Sequence, residues 1–382
     1  MPVVSLSPLH FSEGIFTIDV AIRFLNATLL NPALSVLLPV GAIAHTTGLF
    51  AARSLSGAVD HLKSADWHPI LAQKEVKWAI GIWAVGLALK INEQLNRAAR
   101  NNFTKSKKGW KAEEEIVLVT GGAGGLGSDV VSRFARRGAK VVVLDIAPLA
   151  ADAPAGVKHY KVDLASKDAV QEAAKKVIAE VGYPTVLINM AGIVRAQTIL
   201  DLSARDVDLT YDINVKSHYY TVQAFLPHMI QEGKGHVVTI ASSVAYIQAA
   251  VGVSYCSSKA AALSFHEGLT EELRHCYQPA SNARAIRTSV ICPAHFKTGM
   301  FAGFANTLPE PLAPSLEIST VAKLVEETVL SGESQHIIEP FYAKCTPIGR
   351  GLPTWLYAIL LRGAKDAMGL VRATKAKEAR AD

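Results

Sequence analysis

The chain has 382 residues, of which 50% are hydrophobic and 19% are charged, and its formal net charge is +6. This composition argues against disorder and favours a folded protein with a membrane attachment. The basic residues cluster beside apolar segments, so we expect no nucleic-acid partner, and the four cysteines are too widely spaced to predict a disulfide framework or a metal site.

The first predicted element is an uncharged apolar segment between Arg23 and Arg53. It is long enough to cross a hydrocarbon core of about 30 Å as a helix. Pro32 and Pro39 argue against one straight span, so a kinked helix and a hairpin that enters and leaves the same leaflet are both open. A helical packing arm on a soluble enzyme is the remaining interpretation.

A second apolar run, residues 78–89, is too short to span a membrane alone, and its tryptophans and flanking lysines are typical of an interfacial position. Basic residues then recur from Lys90 to Lys111, and by the positive-inside tendency this side faces the cytosol. The sequence therefore predicts a hydrophobic membrane-anchor region and basic linker over residues 1–112, with the following domain in the cytosol.

From residue 115 the pattern changes to short β-branched runs that alternate with helix-like stretches. The predicted strands are 115–120, 140–146, 185–193, 235–242 and 285–294. Alternation of this kind predicts an α/β fold, a Rossmann-type doubly wound parallel sheet with helices on both faces, over residues 113–340.

A glycine-rich run, VLVTGGAGGLGSDV, follows the first strand and opens a helix. Gly121, Gly125 and Gly127 have the spacing that permits a tight turn and brings the backbone close to a pyrophosphate at the helix N-terminus. Leu126 belongs to the same loop. The run therefore predicts a dinucleotide-binding loop.

Asp145 ends the second predicted strand. A carboxylate at this position accepts hydrogen bonds from both adenosine ribose hydroxyls and repels a 2′-phosphate, which predicts NAD as the cofactor in preference to NADP. If Asp145 is only an exposed turn residue, the cofactor preference stays open.

The stretch SYCSSKAA places Tyr255 four residues before Lys259. On a helix the two side chains share a face, so we expect the ammonium to favour the phenolate and to lower the phenol pKa from its usual value of about 10. Such a phenol is a general base toward an alcohol or a general acid toward a carbonyl.

The loop TGGAGGLG, followed in order by YCSSK, resembles the short-chain dehydrogenase/reductase family, whose patterns are TGxxxGxG and YxxxK, over about residues 113–340. The resemblance implies hydride transfer to or from a nicotinamide. It also implies that Ser242 bonds the reacting oxygen, that Lys259 additionally holds the nicotinamide ribose, and that Asn214 supports a water-linked proton path.

The same resemblance implies further cofactor contacts, at Asp163, Asn189, Ala191, Gly192, Tyr255, Lys259, Pro293 and Thr298. This chain departs from the family pattern at Met190, where a second asparagine is common, and at Ala294, where a glycine is usual. Neither departure removes a catalytic group, and both are expected to shift the nicotinamide pocket slightly.

The segment 295–314 follows the last predicted strand, where the family places its substrate loop. Its large apolar side chains predict an apolar mouth, formed by Phe296, Met300, Phe301, Phe304 and Leu308. The order of anchor, catalytic domain and apolar tail resembles the membrane-bound subgroup of retinol dehydrogenases and lipid-droplet hydroxysteroid dehydrogenases. That likeness implies a retinoid, steroid or long-chain alcohol substrate at an endoplasmic-reticulum or lipid-droplet surface, and the family resemblance implies a homodimer.

The tail, residues 341–382, predicts an amphipathic helical segment that either docks on the domain or lies in a membrane interface. The preferred function is NAD-dependent oxidation of a lipophilic alcohol. Reduction of a similar carbonyl is the same chemistry reversed, and a non-catalytic membrane scaffold with the same fold is the third alternative. The intact Ser242, Tyr255 and Lys259 count against the scaffold.

Overall fold

The structure is a computed structural model, and it describes residues 17–47, 55–104, 110–304, 309–362 and 371. The chain divides into two compact units, and the boundary between them falls at residues 99 and 100.

The N-terminal unit is helical. Its helices α1 to α6 are Ile18–Ala27, Pro32–Ser35, Leu37–Thr46, Leu55–Ser64, Trp67–Ala72 and Lys74–Arg100. Among the described residues, none of these helices has both the length and the apolarity for a membrane crossing on its own. The pair Ile18–Ala27 and Pro32–Thr46 meets both requirements together, with a bend of 52° at the break between them.

The second unit is built on seven parallel strands in the order β3-β2-β1-β4-β5-β6-β7. The strands β1 to β7 are Ile116–Thr120, Lys140–Asp145, Lys158–Lys161, Val186–Asn189, His236–Ile240, Arg287–Pro293 and His336–Glu339. This confirms the predicted Rossmann-type sheet, in which the order of the strands reverses between β1 and β4. The sequence prediction missed β3 and β7, which are only four residues long each.

Helices cover both faces of the sheet. They are α7 Gly125–Arg136, α8 Lys167–Glu180, α9 Ala204–Tyr211, α10 Ser217–Glu232, α11 Val253–His275, α12 Ala280–Ala283, α13 Ile318–Leu330, α14 Thr346–Gly349 and α15 Thr354–Arg362. A π-helical turn, Asp212–Lys216, joins α9 to α10. Alternation along β1 sends Val117 and Val119 into one core with α7 and α13, and Leu118 into the other core with α8, α10 and α11.

Candidate active site

The glycine loop joins the end of β1 to the start of α7. Gly121 and Gly125 have φ angles of +70° and +54°, a left-handed conformation that favours glycine. A Cβ at Gly127 would lie 2.0 Å from the Gly121 carbonyl oxygen, so only glycine fits there. No side chain caps α7 at Gly124, which leaves the first backbone N–H groups of the helix to face an anion. Leu126, in the first turn of α7, packs against the core that contains Val117 and Val119.

The Asp145 carboxylate lies against this loop. Its Oδ2 accepts a hydrogen bond from the Ala123 amide at 2.9 Å, and its Oδ1 accepts one from the Ala147 amide at 3.0 Å. Through its hydrogen bond with Ala123, Asp145 therefore fixes the glycine loop to the end of β2. Asp163 is exposed in the turn after β3, where its Oδ1 accepts from the Ala165 amide at 3.0 Å.

The turn after β4 is tied to the end of β1 by Thr120. The Thr120 hydroxyl accepts hydrogen bonds from the amides of Met190 at 3.1 Å and Ala191 at 3.2 Å. A Cβ at Gly121 would lie 2.7 Å from the Ala191 Cα, which shows how closely the loop and the turn approach each other. Thr120 is a positioning residue that our sequence reasoning missed, although it is the threonine of the TGxxxGxG pattern.

Asn214 is fully buried in the π-helical turn. Its Oδ1 accepts from the Ile193 amide at 2.8 Å, and its Nδ2 donates to the Ile193 carbonyl at 3.0 Å and to Ser258 Oγ at 2.9 Å. A Cβ at Gly192 would lie 3.4 Å from Asn214 Oδ1 and 3.6 Å from Lys259 Nζ. Gly192 therefore keeps the space between these two polar groups open.

Ser242, Tyr255 and Lys259 converge at the carboxyl ends of β5 and β6. The Ser242 hydroxyl donates to the Pro293 carbonyl at 3.2 Å, and the Ser242 side chain acts on Tyr255 in the direction that lowers the phenol pKa. Lys259 Nζ lies 5.9 Å from the centroid of the Tyr255 ring and donates to the Ile240 carbonyl at 2.8 Å. The structure thus brings the predicted serine, tyrosine and lysine together.

The ionisation of the pair differs from our expectation. Burial raises the pKa of Tyr255 above its ordinary value and outweighs the hydrogen bond from Ser242. Burial also lowers the pKa of Lys259 to about 8. The prediction that Lys259 lowers the phenol pKa is therefore wrong for the chain's own groups, because desolvation of both side chains dominates.

An apolar cluster lies against Tyr255. Val194, Ala196 and Val371 are buried in it, and Phe301 and Phe304 pack on it. The Tyr255 and Phe301 rings meet edge to face with centroids 5.7 Å apart. The cluster brings two of the predicted mouth residues to the tyrosine.

Phe296 and Met300, two further predicted mouth residues, are not among the members of that cluster. Phe296 forms a bridge with Leu316, Met300 is 38% exposed, and Leu308 lies outside the described residues. His295, which sequence reasoning did not single out, stacks on Phe304 with ring centroids 3.9 Å apart. Burial lowers the pKa of His295 to about 4, so this imidazole is neutral at the mouth at neutral pH.

The site fits a nicotinamide dinucleotide on its own geometry. The glycine loop and the uncapped start of α7 suit the pyrophosphate. The buried Thr298 hydroxyl has no hydrogen-bond partner among the described residues, so it is available to a carboxamide.

Two solved structures share the fold. A 3-ketoacyl-(acyl-carrier-protein) reductase from Brucella melitensis, complexed with NADH, superimposes with a TM-score of 0.53 at 21% identity, covering 60% of this chain and 97% of that one. A short chain dehydrogenase from Burkholderia cenocepacia J2315, in complex with NADP, gives a TM-score of 0.54 at 22% identity, covering 66% of this chain and 99% of that one. At these identities the likeness establishes the fold alone.

Sequence relatives extend the likeness. Estradiol 17-beta-dehydrogenase 11 from Homo sapiens is 32% identical over 256 residues, which are 65% of this chain and 82% of that protein. Epidermal retinol dehydrogenase 2 from Homo sapiens is 35% identical over 235 residues, which are 59% of this chain and 74% of that protein. Residues 115–308, about half of the chain, match the sequence model of a family described as short chain dehydrogenase. The chain therefore belongs to the short-chain dehydrogenase family, and it is a nicotinamide-dependent oxidoreductase that acts on CH–OH groups.

Proposed function

We propose that this protein oxidises a lipophilic alcohol, of the retinoid, steroid or long-chain class, to the carbonyl with NAD. The observation that carries this proposal is the apolar cluster of Val194, Ala196, Phe301, Phe304 and Val371 around the predicted catalytic tyrosine. An apolar surface beside the reacting oxygen favours a hydrophobic substrate, because burying its apolar surface away from water is favourable. The names of the relatives, an estradiol dehydrogenase and a retinol dehydrogenase, support the same substrate class.

Each predicted catalytic residue has a role in this reaction. Tyr255 takes the proton of the substrate hydroxyl, and Ser242 hydrogen-bonds the same oxygen. Lys259 holds the nicotinamide ribose, while Asn214 supports the proton path behind it. An oxidised nicotinamide, if bound here, would supply the hydride acceptor and a positive charge. The residues that would hold the dinucleotide are those of the glycine loop together with Asp145, Asp163, Asn189, Ala191, Gly192, Pro293 and Thr298.

NAD is the proposed cofactor because of Asp145. Its carboxylate lies beside the loop that would carry the pyrophosphate, bonded to the Ala123 amide. A negative charge at this place repels the 2′-phosphate of NADP and suits two ribose hydroxyls. The two structural neighbours hold NADH and NADP respectively, so the fold itself is compatible with both.

Reduction of a carbonyl is a second candidate, and one observation favours it. Burial raises the pKa of Tyr255, so the phenol keeps its proton and can act as a general acid toward a carbonyl oxygen. The same residues perform both directions, and the direction is decided by comparing turnover with the oxidised and the reduced cofactor.

We also propose that the N-terminal unit attaches the enzyme to an endoplasmic-reticulum or lipid-droplet surface, with the catalytic unit in the cytosol. Large apolar side chains are exposed on its helices, among them Phe24 at 67%, Leu37 at 66% and Trp78 at 74%. Exposed apolar groups of this size favour a lipid surface over water.

We also propose, from the family resemblance, that the protein forms a homodimer.

The deciding experiment is NADH formation by the detergent-solubilised full chain against retinol, hydroxysteroids and long-chain alcohols. Tyr255→Phe should lose roughly a hundredfold or more of kcat, whereas Tyr219→Phe, at a half-exposed position on α10, should be unaffected. Turnover that survives Tyr255→Phe would remove the catalytic assignment. Tight NAD binding without turnover of any alcohol or carbonyl would favour a scaffold.

A further inference from the structure

A group of buried polar atoms lies on the side of the sheet that faces α10 and α11. Four of them, His218 Nδ1, His218 Nε2, Asn189 Nδ2 and Thr239 Oγ1, have no hydrogen-bond partner among the described residues. All three side chains are fully buried. Buried polar groups are nearly always paired, and where no protein group reaches them the partner is ordered water.

Strand register places two of these side chains together. Asn189 of β4 and Thr239 of β5 are directly paired in the parallel ladder, so their side chains point to the same face. Two residues earlier on each strand, Leu187 and Val237 belong to the core cluster that includes residues of α10 and α11. Asn189 and Thr239 therefore face these two helices.

His218 reaches the same region from α10. Its ring centroid lies 5.7 Å from that of Phe265 on α11. Thr221, three residues further along α10, donates to Asn189 Oδ1 at 2.9 Å and so fixes the amide against this helix. With Oδ1 already engaged, the Nδ2 end of Asn189 keeps both of its N–H donors for another partner.

Lys259 adjoins the group. Its Nζ donates to the carbonyl of Ile240, the residue directly after Thr239. Asn214 lies four residues before His218 in the sequence. Burial and the charge of Lys259 together lower the pKa of His218 to about 3. The ring is therefore neutral and offers one donor and one acceptor.

We propose that His218, Asn189 and Thr239 hold ordered water behind Lys259, and that His218 is a positioning residue that keeps this water in the proton-transfer path. The inference rests on the proposed function. In alcohol oxidation the hydride leaves to the cofactor and the hydroxyl proton leaves to Tyr255. That proton must leave the buried pocket before the next turnover, and water beside Lys259 supplies the O–H groups through which it exchanges.

The kinetic test compares His218→Phe with His218→Gln in the full-length protein. His218→Phe keeps a planar ring but removes both nitrogens, so kcat should fall by roughly tenfold with KM unchanged, and the solvent deuterium isotope effect on kcat should rise. His218→Gln restores a donor and an acceptor and should recover part of the loss. The control is His266→Phe, another buried histidine with an unpartnered Nδ1, which is coupled electrostatically to His336 and not to Lys259. It should leave kcat and the isotope effect unchanged.

A second readout does not depend on turnover. A wild-type crystal structure at high resolution should show water within hydrogen-bond distance of His218 and Asn189. A dry cluster, or unchanged kcat and isotope effect in a folded His218→Phe variant, would overturn the proposal. If His218→Phe does not fold, equal kinetics of His218→Gln and the wild type together with a dry cluster would do the same. An inactive wild type that nevertheless holds this water would remove the proposed function and keep the water site.

Discussion

Val371, in the C-terminal tail, is fully buried in the same apolar cluster as Tyr255. At this residue the tail packs on the catalytic unit, which is one of the two arrangements that the sequence left open. A side chain from beyond the predicted catalytic domain therefore forms part of the surface beside the Tyr255 phenol. The tail contributes to substrate selection if the substrate occupies the space next to this cluster.

Replacing Val371 by alanine tests that role. The change removes two methyl groups from the apolar cluster that contains Tyr255, so kcat/KM for bulky alcohols should rise relative to that for short ones, by up to roughly tenfold. The measurement is the ratio of the two kcat/KM values. Ile359→Ala, on the half-exposed surface of α15, is the matched control and should leave the ratio unchanged. An identical ratio in Val371→Ala and the wild type would exclude Val371 from the pocket.

Asp145→Asn tests the proposed cofactor preference. The amide keeps one acceptor oxygen for the glycine loop but removes the charge that repels a 2′-phosphate. The NADP-to-NAD ratio of kcat/KM should rise by roughly tenfold, the equivalent of about 1.4 kcal/mol. Asp152→Asn, at an exposed turn residue, is the control. An enzyme that already prefers NADP as wild type would contradict the assignment.

Most of the fold was accessible from sequence because buried parallel strands are continuous β-branched runs. The sequence analysis missed β3, KHYK, and β7, HIIE, because both are edge strands of only four residues that begin and end with a polar or charged residue. The predicted strands 185–193 and 235–242 end in the structure at Asn189 and Ile240, because the chain there turns to form the site.

The candidate site was partly accessible for a different reason. Tyr255 and Lys259 are neighbours in sequence, so spacing alone predicts their proximity. His295 and Val371 meet the site only through tertiary packing, and no spacing rule reveals such contacts. The ionisation of Tyr255 was mispredicted because burial, the main cause of its raised pKa, cannot be read from a motif.

Gly127→Ala tests the packing of the glycine loop. The added Cβ would lie 2.0 Å from the Gly121 carbonyl oxygen, and because that atom belongs to the backbone the loop itself must shift. We expect a loss of stability of about 2 kcal/mol or more and weaker binding of the dinucleotide, measured by denaturant unfolding and by NADH fluorescence titration. Gly268→Ala, inside α11 with no atom within 4 Å of the added Cβ, should be neutral or stabilising by up to about 1 kcal/mol. Equal effects of the two substitutions would contradict the close approach.

The buried histidines predict how stability depends on pH. Burial lowers the pKa values of His218, His236 and His266 from 6.5 to about 3. The native state therefore keeps these rings neutral at pH values where the unfolded chain protonates them. Below pH 6.5 the unfolded state binds more protons at these rings, so their contribution to the free energy of unfolding should be constant above about pH 7 and should fall as the pH decreases, until the native rings titrate near pH 3.

The slope should reach up to about 1.4 kcal/mol per pH unit for each ring. Urea unfolding between pH 7 and pH 5 reports this contribution together with that of His295, whose pKa burial lowers to about 4, since carboxylates of ordinary pKa titrate mainly below that range. His236 lies away from Lys259, with its Nε2 bonded to Ser289 Oγ at 2.8 Å, so His236→Gln should reduce the slope by one ring's share without touching the proton path. A free energy of unfolding that stays constant from pH 7 to pH 5 would contradict this prediction. It would mean that the rings become protonated in the native state with pKa values close to those of the unfolded chain.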